Sequence, residues 1–322
     1  MDFRAERDTL LLSLEREQRP SVRAEVAETL CDVAFETPKV LRSEFGPAVV
    51  RLLSDAQAEV KCAGLALASE VLSADEAKDI LVRALSDSNV RVRVEAAGRL
   101  ADLALPEARG ALAAALEDTE VNVRFEAARG MVALKHKAGL PVLLAALDDG
   151  ELRFRAAAAL AQLGSDEALP RLREVFGRWL LPVFDRTQVA GALAVLGDAQ
   201  GVAHLFKRAG KRWSVDRAMA IELLGEVKAA GAQERLLALL ADPADASRGA
   251  AARGLGRLGD VTNEPRLLAV LDEQLVPDDI KLDVAEALLR LGTASGKARV
   301  ASLKLEDVEA QAELGAMRED FE

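Results

Sequence analysis

A chain of 322 residues, half of them apolar, holds enough material for a sizeable core. Ala and Leu supply most of that apolar content, only 3% of the residues are aromatic and Tyr is absent, which excludes a strand-rich sandwich or barrel and predicts an all-α protein. The net charge of -11 argues against a phosphate backbone as ligand, and no apolar run approaches the roughly 20 residues of a membrane span.

The charged start, from Met1 to Asp8, has no apolar stretch of signal-peptide type behind it. Cys31 and Cys62 stand alone, without a CxxC motif or a disulfide framework. Together these features predict a cytoplasmic protein with reduced thiols and no membrane insertion. The richness in Ala, Arg and Gly resembles that of a GC-rich bacterial proteome, an association and no more.

Taken in chain order, one element recurs. A basic residue is followed by small or apolar residues at +3 and +4 and by apolar residues at +7 and +10. The register begins at Arg23, Lys61, Arg93, Arg124, Arg153, Arg186, Arg217, Arg248 and Lys281, with spacings of 38, 32, 31, 29, 33, 31, 31 and 33 residues. These offsets share one helix face, so each unit contains an amphipathic helix, here the B helix. A second apolar stretch, the A helix, precedes it, as in residues 140–147 and 236–240. Gly164, Gly197, Gly259 and Gly292 close B helices, as expected where a helix ends in a left-handed residue, and Ser165 and Asp198 are placed to cap the next A helix. Two helices and two turns in ~31 residues leave no room for strands.

The reading is a single helical-repeat domain over 1–322. Residues 1–19 form the A helix of the first repeat, 20–292 the repeats, and 293–322 a C-terminal cap that frays into an acidic tail ending at Glu322.

The pattern resembles the bacterial HEAT repeat of the phycobilisome-lyase type. The resemblance is carried by Asp118 with Val123 to Ala128 and by the stretch from Leu163 to Pro170, and it covers residues 4–295. It implies a right-handed α-solenoid of about nine helix pairs. It also implies a ladder in which Asp55, Asp87, Asp118 and Asp242, each six residues before an anchor, cap B helices while each anchor cation reaches a neighbouring Asp. The anchors are then structural rather than ligand-binding.

HEAT-like stacks line their concave surface with B helices. The outward positions there are acidic in the first four repeats, at Glu25, Glu28, Asp32, Glu70, Glu95, Asp102 and Glu126, relieved by Arg99 and Arg129. Such a groove suits a partner with a basic segment, although any exposed face also carries charge for solubility. A second candidate is the rim of A-to-B turns in repeats 6 and 7. Arg178 and Trp179 lie in one turn, and Arg208, Lys211, Arg212 and Trp213 mark the other. Trp and Arg favour interface hot spots, but a long turn also needs an apolar pin, and the pin is the preferred reading.

Chemistry has little to stand on. His136 and His204 fall in different repeats, and neither precedes Glu, as iron-holding helical-repeat hydroxylases require. The Gly254–Gly259 stretch spells GxGxxG but lies in a helical repeat, so the match fails on context. No metal-ligand spacing, phosphate loop or nucleophile elbow occurs, and no cofactor is expected. The sequence therefore predicts a non-enzymatic scaffold or adaptor that binds another protein on the B-helix face or the rim. The alternative, through resemblance alone, is an enzyme of the bilin-lyase or DNA-glycosylase type.

Overall fold

The computed structural model describes residues 3–321; Met1, Asp2 and Glu322, the last acid of the expected tail, lie outside the described residues. Within them every regular element is a helix. The chain divides into two compact units, 1–146 and 147–322.

The first unit contains α1 (Phe3–Arg16), α2 (Pro20–Glu36), α3 (Gly46–Leu53), α4 (Ala58–Val71), α5 (Ala74–Ala84), α6 (Val90–Leu103), α7 (Arg109–Ala115), α8 (Val121–Ala133) and α9 (Leu140–Ala146). The second contains α10 (Arg153–Leu163), α11 (Leu169–Phe176), α12 (Val183–Val195), α13 (Ala199–Ala209), α14 (Arg217–Val227), α15 (Ala232–Leu240), α16 (Arg248–Leu258), α17 (Glu264–Leu271), α18 (Asp278–Leu291), α19 (Ala294–Ser302) and α20 (Val308–Asp320). All nine anchors fall on even-numbered helices from α2 to α18, each preceded by an A helix. Among the described residues the chain is all-α, and each unit is a solenoid stack of such helices, as the periodicity requires.

Each B helix packs on the B helices before and after it within its unit: α2, α4, α6 and α8 in the first, α10 to α18 in the second. The +4, +7 and +10 positions make that contact. Ala27 and Leu30 of α2, Ala97 and Leu100 of α6, and Ala128 and Met131 of α8 are buried, and the first unit's core falls into two clusters, one over α1–α4 and one over α4–α8. Ala at so many of these positions lets neighbouring helices approach closely. The closest approach joins α14 and α16, where a Cβ on Gly225 would lie 2.0 Å from the Gly254 carbonyl oxygen. Gly254 and Gly256, two of the three glycines of the apparent GxGxxG motif, are thus helix-packing residues inside α16.

The four closing glycines all adopt positive φ, from 68° to 80°. Where the repeat lacks Gly at that place, Ala104, Lys135 and Lys228 take the same conformation, at φ 48°, 55° and 52°. Asp198 caps α13 as expected, accepting the Gln200 N–H at 2.8 Å. Ser165 does not: its hydroxyl is buried and makes no cap bond, because the helix opens there with a 3₁₀ turn, Asp166–Ala168, closed by backbone bonds.

The ladder is present and better defined than the sequence implied. Asp87 accepts from Lys61 Nζ at 2.7 Å, and Asp118 from Arg93 Nε at 2.9 Å; Asp55 pairs with Arg23. Each of these Asp residues also accepts the N–H of the residue that opens its own B helix, Gln57, Asn89 or Glu120. One carboxylate therefore fixes a turn and ties it to the preceding repeat.

Asp242 is the exception. Arg217 passes it by and grips Asp245 with two bonds, at 2.6 and 2.7 Å, and Asp245 takes the Ser247 N–H. The turn before α16 occupies 241–247, two residues more than 85–89 before α6, and the role moves three positions along it. Arg153 finds Asp185 at 2.8 Å within the first turn of α12, and Arg248 takes Glu273.

At the start, α1 buries Leu14 on α2 and stacks Phe3 on Phe45, with ring centroids 6.1 Å apart. At the other end the acidic segment does not fray. Asp307 caps α20, Leu314 is buried, and Arg318 donates to the carbonyls of Val300 and Leu303. The Asp278 carboxylate holds the preceding loop by the N–H groups of Glu306 and Asp307. Seven acids in the segment mask an apolar face that docks onto α18.

Candidate functional site

In the first unit the outer faces of α2, α4 and α6, with Asn122 of α8, enclose a groove of about 580 Å³. The sequence builds its floor from small and apolar side chains: Cys31, Cys62, Ala63, Ala66, Val90 and Val94. Glu28, Asp32, Glu59, Glu95 and Arg91 form its walls. B helices supply all of these because their inner faces are committed to the stack, leaving the positions between anchors to point outward.

The acids divide into two kinds. Glu95 is half-buried and bonded to Arg99 at 2.7 Å, Glu59 pairs with Arg91, and Glu70 lies 3.5 Å from Arg42. Asp102 and Glu126 share Arg129, at 2.6 and 2.8 Å, and Glu126 is buried away from the groove. Glu25, Glu28 and Asp32 of α2 are exposed and make no ion pair among the described residues. The expected stripe of seven acids thus reduces to one helix with spare negative charge beside an apolar floor. Arg129 produces this difference by reaching back 27 residues to Asp102, a pairing that outward position alone does not reveal.

Both cysteines belong to that floor. Cys31 Sγ donates to the Ala63 carbonyl at 3.4 Å. Burial, reinforced by Asp32, pushes its thiol up to about 12, and burial with Glu95 pushes Cys62 to about 11. Each stays protonated at neutral pH and behaves as a small apolar surface rather than as a nucleophile.

A second groove, of about 600 Å³, lies on the B helices of the second unit, with Phe154, Val195 and Met219 among its apolar lining. The sequence reading did not single it out. Phe154 immediately follows an anchor, and its exposure became legible only once the helix phase was fixed. The charges near it are spent: Arg253 bridges Glu222 and Asp283, and Arg257 pairs with Glu222 and Glu226.

The rim of repeats 6 and 7 contradicts the pin reading. Trp179 is 85% and Trp213 91% exposed, with Leu180 at 72% and Val215 at 73% beside them. Neither indole holds its turn down. Arg186 does so at the first, donating to the carbonyls of Phe176 and Arg178.

A polar cluster does so at the second. Buried Asp216 accepts from Arg208 Nε at 2.7 Å, from the Ser214 hydroxyl at 2.6 Å and from the Thr187 hydroxyl. Burial pushes this carboxyl up, but the donors from Arg208, Ser214 and Thr187 outweigh it and hold it down at about 2. His204 stands beside Thr187 and edge-on to Phe176, its pKa lowered by burial and by the charge of Arg208.

Of the predicted rim residues, Arg178 and Arg208 are therefore tied to acids, Asp148 with Glu174 and Asp216 respectively. Lys211, Arg212 and Trp213 project outward, with the Arg212 guanidinium 5.8 Å from the Trp213 ring. An indole exposed to this degree offers a partner about 4 kcal/mol of gross burial energy.

No described helix is long and apolar enough to cross a membrane. Comparison with known proteins places the repeats. Residues 110–178 match a family model described as HEAT repeats, and residues 247–273 match one described as PBS lyase HEAT-like repeat. No curated protein sequence matches the chain.

Among solved structures, it is similar to a chain in the complex of CpcE and CpcF of phycocyanin lyase from Nostoc sp. PCC7120. The two share 21% identity and a TM-score of 0.48 over 76% of this chain and 94% of that one. YibA of Escherichia coli is 18% identical, with a TM-score of 0.47 over 89% and 92% of the two chains. An engineered protein is 21% identical, with a TM-score of 0.41 over 100% and 99%. Residues 110–178 thus match HEAT repeats and residues 247–273 a PBS lyase HEAT-like repeat, both within the run of alternating A and B helices.

Proposed function

We propose that this protein is a binding scaffold or adaptor whose first unit receives a basic segment of a protein partner in the groove across α2, α4 and α6. The observation that carries the reading is the pairing of unspent carboxylates, Glu28 and Asp32, with an apolar floor on the same groove. A partner side chain with an aliphatic or aromatic body and cationic neighbours satisfies both at once. The acids steer its approach, and the floor takes its apolar surface out of water.

The two raised thiols support binding in place of bond chemistry, since neither supplies a thiolate near neutral pH.

The test is anisotropy of a labelled helical peptide bearing four Lys or Arg and one Trp. Glu28→Lys with Asp32→Lys weakens its binding about tenfold or more at low salt. Equal affinity for the wild type and the double variant removes the groove from the account.

The PBS-lyase-type repeat at 247–273 favours a second reading, action on a bilin. Mixing the protein with a free bilin tests it directly. A shift of visible absorbance that survives denaturation would mark a covalent adduct, and the adaptor reading expects none.

A further inference from the structure

The rim of the second unit has the chemistry that the groove of the first unit asks for. Arg212 lies against the Trp213 ring, Lys211 is exposed in the same turn and Lys207 in the last turn of α13, and neither lysine has an ion-pair partner among the described residues. Arg212 holds its turn to the next by donating to the Ala244 carbonyl at 3.3 Å, so the indole is presented from a fixed base. Trp213 and Val215 protrude from the turn at 91% and 73% exposure, and neither borders any of the grooves described above. They are shaped to enter a concavity rather than to form one.

The patch is also narrow. The turn before it, 177–182, carries Trp179 and an Arg178 tied to Asp148 and Glu174, and the turn before that carries Asp148, Asp149 and Glu151; the turn after it carries Asp242 and Asp245, and the next one Asp272 and Glu273. An extended anionic surface such as a lipid bilayer would meet those acids as well as the three cations. A compact acidic recess would meet the cations alone.

We infer that the occupant of the α2–α4–α6 groove includes a second copy of this chain, with Trp213 of one copy seated on the floor of the other's groove and Lys211 and Arg212 facing Glu28 and Asp32. The inference rests on the groove being a site for basic segments, as proposed above, and it identifies one such segment. Reciprocal seating gives a closed pair; a single seating leaves a rim and a groove free for further copies.

Sedimentation velocity of the full chain, from about 1 to 300 µM at about 50 mM and 500 mM salt, tests it. The expected result is association above about 10 µM that dissolves in the higher salt. A rim variant (Lys211→Glu, Arg212→Glu, Trp213→Ala) and a groove variant (Glu28→Lys, Asp32→Lys) are each monomeric over that range. Mixing them restores the pair seated one way round, because the groove variant keeps its rim and the rim variant keeps its groove.

A wild type monomeric throughout, association that persists in either variant, or mixing without recovery overturns the inference. So does a monomeric wild type that sediments with vesicles of phosphatidylglycerol and phosphatidylcholine through Trp213. If self-association is absent while the labelled basic peptide still binds in a Glu28- and Asp32-dependent way, only this inference falls. If the peptide fails too, the groove reading falls with it.

Discussion

Three donors converge on the carboxylate of Asp216, and its burial makes each of them count. The carboxyl titrates at 3.8 when free and at about 2 when folded. Its stabilising contribution is therefore whole above about pH 4 and is lost as pH falls through 2. Asp216→Asn leaves Arg208 facing a neutral group and costs about 3 kcal/mol at pH 7, measurable as a lower urea midpoint. The same variant loses less than the wild type between pH 5 and pH 3, since the charge it lacks cannot be titrated.

The exposed indoles behave oppositely. Trp179→Ala and Trp213→Ala each change stability by less than about 0.5 kcal/mol, because neither ring packs on its own fold. A drop of several degrees in melting temperature for either would revive the pin. The sequence located both rings, but it gave no view of Arg186 or of Thr187 and Asp216, 29 residues apart, taking over the pinning. Glu126 differs from its register for a related reason: the register points outward, yet the side chain is buried and paired with Arg129.

Helix ends and helix contacts respond to single atoms. Ala104 and Lys135 hold left-handed conformations that cost an L-residue about 1 kcal/mol and cost glycine almost nothing. Ala104→Gly and Lys135→Gly therefore stabilise the first unit by about 0.5 kcal/mol each, read from the shift in denaturant midpoint. Gly225→Ala does the reverse. Its Cβ would collide with the Gly254 backbone, which cannot turn aside as a side chain does, and forcing α14 and α16 apart costs about 3 kcal/mol.

At this scale the sequence was most legible. Every anchor fell on a B helix, because the offsets that define the register are the ones that bury. Ladder partners are legible where the preceding turn spans four or five residues and not where it spans seven, since Asp245 replaces Asp242 only once the longer turn is drawn. The C-terminal acids looked like a tail because charge count is blind to phase; Leu314, Met317 and Phe321 lie on one face of the helix and its end.

For the whole molecule, repetition determines the fold and leaves function to whatever departs from repetition. Ladder pairs, Ala contacts and closing glycines recur along the chain and explain its architecture. The spare acids of α2 and the bare indoles of repeats 6 and 7 do not recur, and nothing in the stacking requires them. The spare acids are what supports the proposal of a protein ligand at α2.

The measurement that bears most directly on this claim is capture from the native host on tagged wild type and on the Glu28→Lys, Asp32→Lys variant, with bound material identified by mass spectrometry and absorbance. The account predicts a stoichiometric protein with a basic segment on the wild type and its loss from the variant. A partner retained equally by both, or nucleic acid or pigment in place of protein, would contradict it.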